Sequence, residues 1–326
     1  MSSPATAHAF WITRPGQGEI LEEQVPQPEP GQAQVRTLYS AISRGTETLV
    51  FNGRVPHSEF SRMRAPFQEG QFPGPVKYGY ISAGVVEAGD AALLGRTVFC
   101  LYPHQTRYNA PVEALHPIPH DVPAERAVLA ANLETAMNAL WDAQLERGSR
   151  LTVIGAGALG CLCAWLAHRH YGADVELVDI DPARAQIAER FGVGFARPHE
   201  ARGDSPLIVH TSATEAGLHS AIELAGFEAL ILELSWFGDS ATHVPLGGAF
   251  HSRRLTLKAS QVGHVATAMR GHATRRSRLR MALRLLTDPA LDSLIDSQST
   301  FAELPSVLAE LACGARRAIC HRVDYD

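Results

Sequence analysis

A glycine-rich stretch with the spacing Gly-x-Gly-x-x-Gly lies near the middle of the chain: Val153-Ile154-Gly155-Ala156-Gly157-Ala158-Leu159-Gly160. It completes the apolar run Leu151–Ile154, which predicts a buried strand. It also opens a run from Ala158 to His170 that predicts a helix. A strand that leads through a glycine turn into a helix is typical of a dinucleotide-binding βαβ unit.

Each glycine of this stretch has a separate physical role in such a unit. We expect Gly155 to make the tight turn, Gly157 to let the backbone approach a pyrophosphate, and Gly160 to allow close packing of the helix. The backbone amides of Ala158 and Leu159 would open the helix, where the helix dipole favours an anion. These five residues are the predicted phosphate-binding loop.

An acidic residue stands where the second strand of the unit should end. Asp179 follows the run Val175–Val178 and lies 19 residues beyond Gly160. Its carboxylate would accept hydrogen bonds from the adenosine ribose hydroxyls and repel a 2′-phosphate. The sequence therefore predicts a preference for NAD(H) over NADP(H). Arg184, one turn into the next helix, is a counter-indication because a cation could accept the 2′-phosphate.

The pattern of strands and helices predicts the fold class. The first 120 residues contain short β-type runs punctuated by proline and glycine, whereas an alternation of strands and helices begins near Val122. This alternation is typical of an α/β, doubly wound parallel sheet. The run from Ala318 to Tyr325 predicts a strand that returns to the first domain. Residues 52–76 lack periodicity and predict a long loop, which would provide a roomy substrate entrance.

Composition excludes several classes of protein. The 326 residues carry a net charge of −5, which does not favour nucleic acid as a partner. No apolar run is long enough to span a membrane, and Met1–Ala9 lacks the features of a secretory signal, so we expect a cytoplasmic protein. The five cysteines form no Cys-x-x-Cys pair, which argues against a disulfide framework or a ribbon-type zinc site.

Beyond these motifs, the chain resembles the medium-chain dehydrogenase/reductase family over nearly its whole length. The similarity includes the segment Gly84–Gly89 and the helix Glu134–Leu140. Ile42–Glu47, followed by Gly53–Pro56, is most similar to bacteriochlorophyllide-type alcohol dehydrogenases within that family. The resemblance implies a GroES-like β-rich catalytic domain and a Rossmann domain with the active cleft between them. It places the catalytic domain in residues 1–121, completed by 268–326, and the Rossmann domain in residues 122–267.

The chain departs from the zinc-dependent members of this family at the metal positions. Those members place a cysteine at Ser43, His-Glu at Tyr80-Ile81, and a cysteine or carboxylate at Ala131. None of the residues present is a good zinc ligand. The four-cysteine lobe that holds structural zinc is missing too, since Cys100 stands alone. We therefore expect no metal site.

Without zinc, hydrogen-bond donors must stabilise charge on the substrate oxygen. The resemblance places Tyr80 and Thr46 at the substrate cleft, and these are the predicted catalytic residues. His210 ends a predicted sheet strand, at the edge that faces ligands in doubly wound folds. We include His210 as a third catalytic candidate and the following Thr211 as a cofactor contact. The alternatives are a wall residue of the cleft for Tyr80, a turn-stabilising residue for Thr46, and a core or surface residue for His210.

Other polar residues receive structural predictions. Glu47 is expected to bind a backbone amide or Arg44, and Lys77 to be a solvated surface residue. His104 and Cys100 are too few to make a metal site. One basic cluster surrounds a helix predicted from about Thr274, and we expect it to be a solvated face rather than an anion or nucleic-acid site. It comprises Arg270, Arg275, Arg276, Arg278, Arg280 and Arg284.

Three functions remain open at this level. The first is hydride transfer between NAD(H) and an alcohol or carbonyl substrate without catalytic zinc. The second is reduction of an activated C=C bond, as in zinc-free quinone and enoyl reductases. The third is a nucleotide-binding redox sensor without enzymatic activity. A small-molecule substrate is the expected partner, and the resemblance implies a homodimer through the strand near Leu255.

Overall fold

A computed structural model describes residues 4–325 of the chain, so Met1–Ser3 of the N-terminal stretch considered above lie outside the described residues. The chain forms two compact units. The first comprises the residues up to Ala131 and those from Leu283 onward, and the second comprises Asn132–Ala282. Both boundaries fall inside helices, whereas the resemblance placed them after residues 121 and 267.

The first unit contains most of the strands. They are β1 (Ala5–Arg14), β2 (Gln17–Val25), β3 (Gln32–Ile42), β4 (Glu69–Gly70), β5 (Val76–Lys77), β6 (Ser82–Gly89), β7 (Thr97–Cys100), β8 (Arg107–Pro111), β9 (His116–Pro117), β16 (Ile295–Thr300) and β17 (Cys320–Asp324). Its helices are α1 (Arg44–Phe51) and α7 (Leu304–Cys313).

The second unit alternates strands with helices. Its strands are β10 (Arg150–Ile154), β11 (Asp174–Val178), β12 (Gly194–Ala196), β13 (Ser205–His210), β14 (Ala225–Glu233) and β15 (Thr256–Ala259). Its helices are α3 (Ala158–Tyr171), α4 (Ala185–Phe191) and α5 (Glu215–Leu224), while α2 (Ala130–Asp142) and α6 (Arg275–Leu285) cross its two boundaries.

Short helical turns complete the described chain. The 3₁₀ turns are His57–Glu59, Val112–Ala114, Arg126–Leu129, Pro182–Arg184, Thr267–Met269, Pro289–Leu294 and Phe301–Glu303, and a single π-type turn covers Leu246–Phe250. The 52–76 segment therefore contains one 3₁₀ turn, the two-residue strand β4 and the first residue of β5, and is otherwise irregular. Over residues 4–325, no helix combines the length and apolarity needed to cross a membrane.

The sheet of the second unit is parallel throughout its described strands, in the order β12-β11-β10-β13-β14-β15. The order reverses between β10 and β13, and ligands of doubly wound sheets bind outside the carboxyl ends of the strands at such a point. Apolar side chains of these strands pack with the flanking helices to form the core, which includes Ile154, Val178, Ile208 and Ile231. The predicted α/β class is confirmed.

The first unit builds two sheets from its described strands. One has the order β2-β1-β5-β4, and the other has the order β16-β17-β3-β6-β7-β9 with β8 also paired to β3. The last strand, β17, is parallel to β16 and antiparallel to β3. This confirms the predicted return of Ala318–Tyr325 to the β-rich domain, because β3 belongs to the N-terminal part of the chain.

Candidate functional site

The glycine turn after β10 has the geometry that its spacing predicts. Gly155 has φ +102°, and a Cβ there would lie 2.8 Å from the backbone nitrogen of Ser212. A Cβ on Gly160 would overlap the carbonyl oxygen of Gly155 and press on the Thr211 hydroxyl. Gly157 differs from both, since a Cβ at that position would meet nothing within 4 Å. Two glycines are thus required by packing, and Gly157 leaves open space beside the backbone.

Helix α3 begins immediately after this turn with its N-terminus uncovered. Gly157 is the N-cap residue, and it has no side chain with which to cap the helix. The amides of the first helical turn, at Ala158 and Leu159, have no partner within the helix. Because these two residues are only half-buried, the turn can accept an anion such as a pyrophosphate.

Asp179 lies at the carboxyl end of β11 and contacts the same turn. Its Oδ2 accepts a 2.6 Å hydrogen bond from the backbone amide of Ala156, and its Oδ1 accepts one of 2.8 Å from the amide of Asp181. Arg184 forms an ion pair with Asp181 at 3.4 Å. The carboxylate predicted to bind the ribose is therefore fixed at the glycine loop, and the cation that could oppose NAD preference is partly neutralised.

Sequence reasoning missed one feature next to Asp179. The side chain of Ile180 is 76% exposed. An exposed apolar surface beside a nucleotide loop is suited to the flat face of a base. The signal available in the sequence was an isoleucine two residues beyond Val178, the last buried position of β11.

His210 is the last residue of the neighbouring strand β13, and Thr211 comes directly after it. The Thr211 hydroxyl donates to the carbonyl oxygens of Ile154 and Gly155, at 3.1 and 2.9 Å. His210 is fully buried, and its ring bridges Glu233 Oε2 at 2.6 Å and Ser212 Oγ at 2.7 Å. His210 therefore connects the end of β14 to the segment that follows β13. No atom of its ring is exposed, so His210 cannot make the predicted direct catalytic contact.

The residues Ser212, His210 and Glu233 have the connectivity of a nucleophile, base and carboxylate. Acyl transfer also needs backbone amides free to stabilise an oxyanion. The nearby amides of Ala213 and Gly217 instead donate to Ser235 Oγ and Thr214 Oγ1. The arrangement is thus suited to holding the loops rather than to nucleophilic catalysis.

In the first unit, Tyr80 and Ser43 contact each other. The Tyr80 hydroxyl donates a 2.5 Å hydrogen bond to Ser43 Oγ and is also hydrogen-bonded to the Thr46 side chain. Burial and the nearby Glu47 carboxylate raise the pKa of Tyr80 to about 12, against the opposing effect of the two hydroxyls. Tyr80 and Thr46 are both half-buried. The two predicted catalytic residues of this unit therefore converge, with Ser43 as a third member.

Beneath these hydroxyls lies a buried pair of ionisable side chains, Glu47 and His104. Glu47 Oε1 accepts a 2.7 Å hydrogen bond from the backbone amide of Ser43, which confirms the predicted amide partner. Its other oxygen lies 2.8 Å from His104 Nε2. Sequence reasoning treated His104 only as a potential metal ligand, because nothing in the linear order places it next to Glu47.

Two predictions of surface exposure are wrong. Lys77 is 1% exposed, and its ammonium binds Glu23 at 2.8 Å and Glu69 at 2.5 Å. Its long side chain is buried because β5 pairs with both β1 and β4. The charge of Lys77 is thus matched by two carboxylates within the fold.

Arg278 is the second correction. The basic cluster does present Arg276, Arg280 and Arg284 on an exposed face. Arg278 points the other way, is 1% exposed, and binds Glu134 Oε1 at 2.9 Å. Helical periodicity explains the difference, because residue 278 is two positions from its neighbours at 276 and 280 and so faces the opposite side.

The donor set at the positions of the family's zinc ligands does not fit that metal. Ser43 and Tyr80 hydrogen-bond each other, and Ile81 and Ala131 are buried apolar residues. Zinc prefers thiolate, imidazole or carboxylate ligands. Among residues 4–325, no group of three or more His, Cys, Asp or Glu side chains is arranged to hold a metal ion.

Comparison with known sequences gives partial matches. No family model matches the chain. The chain is 26% identical over 205 residues to an uncharacterized zinc-type alcohol dehydrogenase-like protein of Haemophilus influenzae. This matched region covers 62% of the present chain and 59% of the Haemophilus protein. The chain is 22% identical over 239 residues to (R,R)-butanediol dehydrogenase of Bacillus subtilis, with 64% and 67% covered. The match thus spans less than two thirds of the Haemophilus protein.

Comparison with solved structures covers almost the full chain. L-idonate 5-dehydrogenase from Escherichia coli has a TM-score of 0.79 at 13% identity, with 98% of both chains covered. The alcohol dehydrogenase rspB from E. coli, complexed with NADH, has 0.76 at 15%, with 98% and 99% covered. A dehydrogenase from Sinorhizobium meliloti bound to NADP has 0.76 at 15%, again with 98% and 99% covered. These similarities show the fold.

Proposed function

We propose that this chain, whose sequence and fold similarities support the medium-chain dehydrogenase/reductase superfamily, is an NAD(H)-dependent oxidoreductase acting on an alcohol or carbonyl substrate without catalytic zinc. The observation that carries the proposal is the glycine turn, in which Gly155 and Gly160 allow no side chain and Asp179 binds the loop amide. The solved neighbours with NADH and NADP support a nicotinamide cofactor of either kind.

The cofactor-binding residues follow from that turn. The amides of Gly157, Ala158 and Leu159 would hold the pyrophosphate, and Thr211 would support the turn from the next strand. Asp179 would bind the ribose hydroxyls and disfavour a 2′-phosphate, hence the proposed preference for NAD(H) over NADP(H). When bound, the nicotinamide would supply or accept a hydride.

Tyr80 is the proposed proton donor to the substrate oxygen. Its high pKa keeps the phenol protonated at neutral pH. An alkoxide is a stronger base than a phenolate, so proton transfer from Tyr80 to a developing alkoxide is favourable in the reductive direction. The Tyr80 hydroxyl, which donates to Ser43 in the absence of substrate, would turn to the substrate oxygen. The Ser43 and Thr46 hydroxyls would then donate hydrogen bonds to the resulting phenolate, and a proton from solvent would restore the phenol. Alcohol oxidation would use the same groups in reverse.

The proposed reaction makes no use of zinc. Ser43 and Tyr80 provide neutral hydroxyls at positions where a cation would require anionic or imidazole ligands. Metal analysis of protein purified without chelators should therefore give well below one zinc per chain. A stoichiometric zinc content, with turnover lost on chelation and restored by zinc, would contradict this part of the proposal.

A substrate panel tests the function. The purified protein is incubated with NADH or NADPH and with matched sets of ketones, quinones and enones, and with NAD and alcohols in the other direction. We expect ketone reduction and alcohol oxidation. Turnover confined to enones or quinones would instead establish a C=C or quinone reductase, and NADH binding without any turnover would support a redox-sensing protein.

The chain is further proposed to be cytoplasmic and to form a homodimer. Strand β15, which begins one residue after Leu255, ends the described order of the parallel sheet and carries the exposed Leu257. An edge strand of this kind offers backbone groups for pairing with a second copy. Light scattering should give twice the mass of the chain, and a Leu257→Lys variant should shift the molecule toward monomer.

A further inference from the structure

We propose that Glu47 and His104 form a buried positioning pair that fixes the Ser43–Glu47 turn, so that the hydroxyls of Ser43 and Thr46 converge on Tyr80. The inference rests on the proposed function for its catalytic consequence. It concerns residues that contact neither substrate nor cofactor and act through Tyr80.

Glu47 is connected to the start of α1 by a hydrogen bond to the backbone of Ser43. Ser43 is the N-cap residue of α1, and its side chain makes no capping hydrogen bond, because its Oγ accepts the bond from Tyr80 instead. Glu47 Oε1 accepts a 2.7 Å hydrogen bond from the amide of Ser43 itself, which ties the last residue of the 43–47 turn to its first. The carboxylate thus holds the helix start while leaving the Ser43 hydroxyl available to Tyr80.

Glu47 is in turn supported by His104. The histidine ring lies between Glu47 Oε2 and Ser40 Oγ, 2.8 Å from each. Ser40 Oγ in turn lies 3.0 Å from the hydroxyl of Tyr325, the residue that follows β17. A continuous polar network therefore links the returning C-terminal segment to the turn beneath Tyr80. Tyr325, Ser40, His104 and Glu47 are all buried.

The backbone next to Tyr80 is adapted to the histidine. Gly79 has φ +118°, and a Cβ there would lie 2.8 Å from His104 Cδ2. No side chain fits at this position, so the segment that carries Tyr80 rests directly on the histidine ring. The imidazole consequently contacts both sides of the hydroxyl cluster, the 43–47 turn through Glu47 and the Tyr80 segment through Gly79.

Burying a carboxylate is costly, and a structural cap could be made by a neutral side chain. The charge has an effect at Tyr80, because Glu47 is the second cause, after burial, of the raised pKa of that phenol. The neighbouring Tyr78 also lies close enough to interact with Tyr80. Glu47 thus helps to keep the phenol protonated as well as positioned.

A spectroscopic titration tests this independently of turnover. A fluorinated tyrosine placed at position 80 of the full-length protein is titrated by ¹⁹F NMR, since fluorination lowers the phenol pKa into a range where the protein is folded. Glu47→Gln keeps the acceptor for the Ser43 amide but removes the charge. We expect the label to titrate at lower pH in this variant. Glu23→Gln is the matched control, because it removes a carboxylate from the Lys77 ion pair of the same unit.

A kinetic comparison tests the positioning. His104→Leu should lower kcat about tenfold or more, with the KM for NADH little changed, because small misplacements of reacting groups are costly. His104→Gln retains a donor toward Glu47 and should recover part of the loss. Gly79→Ala, which presses on the imidazole from the other side, should resemble His104→Leu.

The outcomes separate the two proposals. An unchanged titration of residue 80 in Glu47→Gln, or equal shifts in Glu47→Gln and Glu23→Gln, would overturn the positioning pair. Equal kcat losses in His104→Gln and His104→Leu would also count against it, since a general loss of packing would not distinguish them. Full turnover in Tyr80→Phe would refute the proposed proton donor, while the titration would still decide the role of Glu47.

Discussion

The hydroxyl of Tyr80 and the hydroxyl of Ser43 are joined by a 2.5 Å hydrogen bond. In zinc-dependent relatives these two positions would supply metal ligands, and here they supply a phenol and an alcohol that bind each other. Replacing one member of the pair removes a proton donor and leaves the other without its partner. This relationship gives the most direct test of the proposed mechanism.

Tyr80→Phe should lower kcat by a factor on the order of 100, because general acid catalysis contributes about that much. The affinity for NADH should be little changed, since the glycine turn belongs to the other unit. Steady-state kinetics and fluorescence titration measure the two quantities. Tyr102→Phe, which removes a phenol of the same unit stacked on Tyr108, is the control. Unchanged turnover in both Tyr80→Phe and Thr46→Val would exclude these residues as the acid.

The glycines of the turn should separate into two classes. Gly160→Ala forces a methyl group into the Gly155 carbonyl and should cost about 1–3 kcal/mol of unfolding free energy, as overpacking usually does. Gly157→Ala has room for its methyl group and should change stability by less than about 0.5 kcal/mol.

In Gly157→Ala the loss should appear in NADH affinity, because the methyl group occupies the space that a pyrophosphate would approach. Denaturant unfolding and NADH titration measure the two effects. Gly203→Ala, another glycine whose Cβ would have no neighbour within 4 Å, should change neither. Full NADH affinity in Gly157→Ala would argue against a pyrophosphate at this turn.

Asp179→Asn should shift cofactor selectivity toward NADPH, because the variant retains a hydrogen-bonding group but no longer repels a 2′-phosphate. The ratio of NADPH to NADH affinity, measured by fluorescence titration, should rise by about tenfold or more, equivalent to about 1.4 kcal/mol. Asp174→Asn is the matched control, since Asp174 begins β11 and its carboxylate pairs with Arg202 at 2.8 Å. Tighter NADPH binding by the unaltered protein would show that Arg184 overrides Asp179.

Arg278→Leu should destabilise the protein by about 3 kcal/mol or more, because removal of one partner leaves the buried Glu134 carboxylate uncompensated. Burial already raises the pKa of Glu134, with Arg278 acting in the opposite direction. Thermal and denaturant unfolding provide the measurement. The exposed Arg280→Leu, on the same helix, should cost less than about 0.5 kcal/mol. Similar losses in the two variants would contradict the buried ion pair.

His321 gives a prediction about pH. Burial, aided by Arg316, lowers the pKa of this histidine from 6.5 to about 4. Between pH 6.5 and 4 this histidine is neutral in the folded protein and protonated in the unfolded chain, so unfolding takes up a proton. Its contribution to stability is therefore complete above pH 6.5 and is lost as the pH falls toward 4. The free energy of unfolding should therefore decline over this window. His321→Gln should decline less steeply, whereas the exposed His120→Gln should follow the unaltered protein.

The second unit was the part of the molecule that sequence could predict well. Its glycine turn, its helix α3 and the position of Asp179 follow from local rules, because each depends on residues close together in the chain. The cluster around Tyr80 could be predicted only in part. Tyr80 and Thr46 were identified through resemblance, but His104 reaches Glu47 across 57 positions, and no periodicity encodes that pairing.

The sequence also could not predict which charged residues are buried. Lys77 and Arg278 stand in segments where a surface position is the ordinary expectation for a cation. Their burial depends on partners far away in sequence, Glu23 for Lys77 and Glu134 for Arg278. Composition and local pattern cannot show which carboxylate a cation will meet, so such pairs become visible only when the strands and helices are assembled.

The place of β17 beside β3 imposes an order on biosynthesis. Residues Tyr39–Ile42 pair with His321–Asp324, so almost 280 further residues must leave the ribosome before that edge is closed. The continuous second unit is fully translated earlier and can fold first. Until β17 has been synthesised, residues Tyr39–Ile42 of β3 present unpaired backbone groups on that edge. Such groups are a template for association with other nascent chains. The yield of the protein in cells should accordingly depend on how quickly translation reaches β17, in addition to how stable the finished molecule is.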